Sequence, residues 1–232
     1  MTSRAPFALL ALPGLGLGEE AWRPTLARYG GPFTVLRIPG YGVRARRRAD
    51  LSPRALACEV AASQTLAGPV VVMGHSASCQ VAAHVAALDP SRVVGLVLVG
   101  PTTTPAADTW PRLAAQWLRT AASEPKEQAF SLARQYSRTG LGTMRRAMDQ
   151  ARHDRIDQTL RNLEVPVLII RGSDDAICTE SWATYLARLP RAGGGTAVIT
   201  LSAGAHMVPL THGPLVADAI RPFVASLAPG PS

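Results

Sequence analysis

The chain has 232 residues, 47% of them hydrophobic and 17% charged, which suits one globular domain with a full core and excludes a disordered or low-complexity protein. Its formal charge is +8, from 24 Lys+Arg against 16 Asp+Glu, but no basic stripe interleaved with aromatics accompanies it, and nucleic-acid binding is set aside. Crowding with Ala, Gly, Pro and Arg points to translation from a GC-rich genome, and no apolar run approaches the roughly 18 residues of a transmembrane helix.

The apolar run Ala5 to Leu12 behind Arg4 admits two readings, the core of a signal peptide or a buried strand. The strand reading, 6–12 running into the loop Pro13-Gly14-Leu15-Gly16, is carried forward. Further apolar runs at 33–38, 69–74, 93–99, 166–171 and 195–201 are continuous rather than alternating, as in strands covered on both faces. Amphipathic or Ala-rich helices are expected near 19–29, 53–67, 76–88, 180–190 and 214–227. This alternation implies βαβ crossovers and an α/β fold: a doubly wound, mostly parallel sheet of about six strands.

From about 101 to 163 the rhythm changes. Leu113, Trp117 and Leu118, then Phe130, Ala133 and Tyr136, then Met144, Met148 and Ala151, then Ile156, Leu160 and Leu163 all fall at helical spacing. Pro125, Gly140 and Gly142 punctuate them. An all-helical insertion in a parallel fold reads as a lid over the strand ends, with ordinary helices packed on the sheet as the other reading. Under the lid reading Trp117, Phe130, Tyr136, Met144 and Met148 are candidate substrate-binding residues. The tail 228–232 reads as disordered.

The strand 69–74 runs into Gly74-His75-Ser76-Ala77-Ser78 and then an Ala-rich helix, a strand–tight turn–helix with a serine at the turn. Such a turn lifts a hydroxyl above the sheet edge, and the helix N-terminus brings positive dipole and free N–H groups where an oxyanion would form. Ser78 stands where the G-x-S-x-G pattern has its last glycine. A serine nucleophile needs a base and an acid to orient it, and behind a nucleophile elbow these follow along the chain as an acid and then a histidine. The strand near 166–171 is followed by Gly172-Ser173-Asp174-Asp175, and the last strand by Gly204-Ala205-His206-Met207. Both places lie past strand C-termini, where open α/β sheets set their ligands.

On these motifs the chain resembles the α/β-hydrolase superfamily over nearly its whole length. The resemblance implies Ser76 as nucleophile, His206 as base and Asp175 as acid, with Asp174 as a competitor and Asp108 as a further candidate. It also implies an oxyanion hole from the backbone N–H groups of Leu15 and Ala77. The family's leading hairpin is missing, so a trimmed core lacking the first two strands is expected. His75, His84, His153 and His212 receive structural readings.

No Walker pattern, complete dinucleotide fingerprint or zinc spacing is present, and no cofactor or metal is implied. Cys58, Cys79 and Cys178 give no disulfide framework, which makes a reducing, cytoplasmic setting the default. The loop Arg44-Ala45-Arg46-Arg47-Arg48 is either a solvated surface or a place for an anion, such as a carrier-linked or CoA-linked acyl group. The function expected is hydrolysis of an ester or thioester of a small-molecule acyl substrate. A lyase, cyclase or acyltransferase of a natural-product pathway is the alternative, and a non-catalytic binding relative is a third. The oligomeric state is not readable.

Overall fold

A computed structural model of the chain describes residues 7–63, 68–102, 104, 109–123 and 128–227; Asp108 and the tail 228–232 lie outside them. The strands are β1 (Ala8–Leu12), β2 (Phe33–Val35), the two-residue β3 (Ile38–Pro39) and β4 (Gly42–Val43), β5 (Val70–His75), β6 (Val93–Val99), β7 (Val167–Arg171) and β8 (Thr196–Thr200). Six of them form one sheet in the order β2-β1-β5-β6-β7-β8, every pair parallel. The run 33–38 stops short as a strand of this sheet: past Val35 the chain leaves β1, and Gly40, at φ 89°, turns it into the small β3–β4 pair.

Between the strands lie α1 (Arg23–Tyr29), α2 (Pro53–Ala62), α3 (Ser78–Leu88), α4 (Trp110–Ser123), α5 (Ala129–Thr139), α6 (Leu141–Ala151), α7 (Ile156–Arg161), α8 (Glu180–Ala187), α9 (Val208–Thr211) and α10 (Gly213–Ser226). Local signals set their starts. Ser52 caps α2 by accepting the Ala55 N–H, with Pro53 at the first position, and Thr179 caps α8 by accepting the Trp182 N–H. Both faces of the sheet are covered. Leu10, Leu12, Val72, Leu96, Leu98 and Ile169 pack with α2, α3, α6, α7 and α8. Leu9, Ala11, Val71, Met73, Val97 and Ile170 face α1 and α10. Alternate residues of each strand are thus buried on opposite sides, which is why the strands read as unbroken apolar runs.

The chain crosses from β2 back over β1 to β5, so the sheet changes winding direction between β1 and β5. The loops after these two strands flank a crevice at their C-terminal ends. The four helices α4–α7 are inserted between β6 and β7. No helix among the described residues is long and apolar enough to cross a membrane.

Candidate active site

Ser76 is the only residue other than glycine with positive φ (60°) among those described. The strain is sustained by its surroundings. Its N–H donates to the Val99 carbonyl at the end of β6 (2.9 Å), and its own carbonyl accepts the Cys79 N–H (3.0 Å). A Cβ on Gly74 would sit 2.7 Å from Cys79 Cα and from the Ser78 carbonyl oxygen, so no side chain fits where β5 meets α3. Ser78 has a different reason. Its buried Oγ accepts the His75 N–H (2.9 Å), and its proton serves the carbonyl of Leu12 (3.0 Å) or of His75 (2.9 Å). The hydroxyl ties the turn to the end of β1, a bond that glycine has no atom to make.

The structure brings Ser76, Asp175 and His206 together. His206 Nε2 lies 2.8 Å from Ser76 Oγ, and His206 Nδ1 lies 2.9 Å from Asp175 Oδ2. The other carboxylate oxygen, Oδ1, accepts the N–H groups of Ile177 (2.9 Å) and Cys178 (2.8 Å). Burial pushes the Asp175 pKa up, but the His206 ring and those two amides outweigh it and hold the carboxyl below its ordinary value. The loop carrying Asp175 is gripped from behind by buried Arg171, whose Nε donates to the Cys178 carbonyl (2.8 Å) and whose Nη2 donates to the Asp175 carbonyl (3.2 Å). A Cβ on Gly172 would come within 2.1 Å of the Gly204 carbonyl oxygen, so the loops carrying Asp175 and His206 touch only because this position is glycine. Asp174 is exposed and its carboxylate accepts from the Ser173 hydroxyl, away from His206.

The loop after β1 is fixed from two sides. Gly16 donates its N–H to the Gly40 carbonyl (2.8 Å), Thr139 of α5 donates to the Gly16 carbonyl (3.0 Å), and Gln135 of α5 accepts the Gly18 N–H (2.8 Å). Leu15 and Ala77 are buried, and among the described residues neither backbone N–H has a hydrogen-bond partner. Two orphaned donors beside a serine suit a developing negative charge.

His75 carries more than the structural reading given above. Its Nε2 donates to the His206 carbonyl (3.0 Å), its ring lies 5.3 Å from the His206 ring, and Trp22 packs edge-on against it at 6.3 Å. Burial, and then neighbouring His206, pushes its pKa down to about 3, so it stays neutral. No periodicity marks it, because its partner is a carbonyl from the other end of the chain.

Beside Ser76 opens a cavity of about 290 Å³ with an almost wholly apolar wall. Trp117 and Tyr136 line it, with Thr120, Leu132, Leu17, Ile177 and Met207, which sequence reasoning did not single out. Three of the candidate substrate-binding residues do not. Phe130 is 83% exposed and points to solvent. Met144 and Met148 belong to the main core with Ala147 and Ala151. Helical spacing identifies a buried face but not what lies beyond it. The arginines at 44, 46, 47 and 48 are exposed; none lines the cavity, and none makes an ion pair among the described residues. His84 pairs with Asp154 (2.8 Å), away from the triad.

Fold, loop positions and relay together match an α/β hydrolase. Residues 9–219 match the model of the Alpha/beta hydrolase family, and the chain belongs to that family. Among solved structures it is similar to a hydrolase from Oleispira antarctica (TM-score 0.78, 16% identity, 97% of this chain and 93% of that one). It is also similar to a thermophilic esterase from Thermogutta terrifontis (TM-score 0.68, 20% identity, 97% and 92%). A third is a thioesterase from the prodiginine biosynthetic pathway in Streptomyces coelicolor (TM-score 0.70, 20% identity, 97% and 86%). At these identities the likeness is one of fold. No curated protein matches the sequence.

Proposed function

We propose that the chain is a single-domain serine hydrolase cleaving an ester or thioester of a moderately apolar acid through an acyl-enzyme on Ser76, with α4–α7 as its lid. The observation that carries this reading is the relay from Asp175 through His206 to Ser76 at 2.9 and 2.8 Å, opening on the apolar cavity. His206 takes the Ser76 proton as Oγ attacks the carbonyl carbon, and Asp175 holds the ring tautomer and stabilises the imidazolium. The N–H groups of Leu15 and Ala77 receive the oxyanion. Its collapse expels an alcohol or thiol, protonated by His206. Water deprotonated by the same ring then attacks the acyl-enzyme and frees the acid. The unpaired arginines of 44–48 offer a leaving group with phosphates, as on CoA or a carrier arm, a place outside the cavity.

The test is labelling by a fluorophosphonate probe, followed by turnover of acyl esters in ¹⁸O water. Labelling at Ser76, its loss in Ser76→Ala, and one ¹⁸O in the released acid are expected. Labelling at Ser78, or unlabelled acid beside a new alkene, would overturn the mechanism, the second in favour of elimination.

A further inference from the structure

Among the polar side chains of the cavity wall that the relay does not use, Thr120 is the one whose hydroxyl has no bond. Thr120, on the third turn of α4, is 5% exposed and lines the cavity together with Trp117 from the same helix. Its Oγ1 is buried and has no hydrogen-bond partner among the described residues. A helical threonine ordinarily returns its hydroxyl to the carbonyl one turn back; this one does not. A buried hydroxyl left unpaired forfeits its bonds to water and gains nothing in exchange, so native proteins seldom keep one without a use.

The other polar side chains on the wall are committed. Ser76 and His206 bond each other, and His75 Nε2 is spent on the His206 carbonyl, while the unpartnered His75 Nδ1 faces the backbone of Gly14. Tyr136 has interactions of its own. The remaining surface is aliphatic or aromatic, from Leu17, Trp117, Leu132, Ile177 and Met207. A purely hydrocarbon acyl chain would be served better by valine, which has the same shape and no hydroxyl to strip of water. Oγ1 itself has almost no accessible surface, so a turn about χ1 to another staggered position is what presents the hydroxyl to a ligand in the cavity.

We propose that Thr120 is a specificity-determining residue, and that its hydroxyl hydrogen-bonds a hydroxyl or keto oxygen carried by the acyl part of the substrate. The substrate class is then an oxygenated acyl ester or thioester, its carbonyl at Ser76 and its second oxygen under α4. Threonine both donates and accepts, so hydroxyacyl and oxoacyl groups are equally served. This inference rests on the reading of Ser76 as the nucleophile.

The experiment compares p-nitrophenyl esters matched in chain length, one series plain alkanoyl and one bearing a hydroxyl or keto group at successive positions. For the wild-type protein, kcat/KM at the best oxygenated position should exceed that of the plain ester by about tenfold, the worth of one buried hydrogen bond. In Thr120→Val that preference should vanish or reverse, and Thr120→Ser should restore it. Equal treatment of both series by the wild type, or a preference that survives in Thr120→Val, would overturn the proposal. Binding of the free oxygenated and plain acids, measured calorimetrically on Ser76→Ala, separates the two readings. If discrimination by Thr120 persists in binding while the wild-type protein turns over no ester, the hydrolase reading has failed and only the recognition of an oxygenated acyl group by Thr120 stands.

Discussion

The Nε2–H of His75 donates to the backbone carbonyl of His206 at 3.0 Å, so the residue beside Ser76 holds the segment that carries His206. That bond fixes the Nε2–H tautomer, and burial keeps the ring unprotonated down to a pKa of about 3, against an ordinary 6.5. Between those two values an unfolded chain binds a proton that the folded chain refuses. Stability contributed by neutral His75 is therefore complete above the higher value and falls as pH drops through the window, by about 1.4 kcal/mol per unit. Asp175, held below its ordinary 3.8, adds its own loss only beneath that value. His75→Gln keeps a donor for the carbonyl and removes the titration. Its urea midpoints between about pH 4 and pH 7 should vary less steeply than those of the wild type, by about one proton. An unaltered slope would place the acid sensitivity elsewhere.

The two adjacent aspartates make a sharp contrast. Asp175→Asn should lower kcat by about 10⁴-fold, because an amide in its place favours the wrong His206 tautomer. Asp174→Asn, at an exposed carboxylate that meets only Ser173, should lower it by less than about threefold. Steady-state kinetics on a reactive ester decides between them, and a reversed ranking would move the acid by one residue.

At the turn, Ser78→Gly restores the residue that the G-x-S-x-G pattern prefers, yet it should destabilise the protein. The buried hydroxyl lost with it bonds the His75 N–H and the Leu12 carbonyl. The expected cost is about 1–3 kcal/mol, read from denaturant unfolding. A stabilised Ser78→Gly protein would show those bonds to be dispensable.

Within the helical insertion the outcomes should divide by helix. Met148→Ala opens a hole in the main core and should cost about 2–5 kcal/mol with an unchanged acyl-length profile. Trp117→Ala enlarges the cavity and should shift the preferred acyl length upward with a smaller effect on melting temperature. Paired melting and kcat/KM measurements test both; a length shift in Met148→Ala would place that side chain against substrate.

Much of this arrangement is written locally in the sequence. Strands buried on both faces read as unbroken apolar runs, and the order of Ser76, Asp175 and His206 past three strand ends follows from short motifs. Gly74 and Gly172 are legible because each admits no side chain. What escapes is whatever depends on distant partners. Met144 and Tyr136 both fall at helical spacing, on neighbouring helices, yet Met144 belongs to the main core and Tyr136 lines the cavity. The purpose of His75 depends on a carbonyl 131 residues away, and the isolation of Thr120 depends on the absence of a partner in space. The strand expected at 33–38 yields three residues to β2 because a turn at Gly40 takes over.

The three members of the relay stem from β5, β7 and β8, and β8 is the last strand in chain order and lies at the edge of the sheet. Ser76 and Asp175 have no direct bond to each other; His206, delivered by the loop after β8, is what joins them. Without this edge strand the turn at Ser76, held by the Val99 carbonyl, has no His206 beside it. Detachment of that edge alone would part His206 from both partners, and loss of activity on partial unfolding from the β8 edge should precede loss of the central sheet. Activity would then report on the integrity of one border of the sheet.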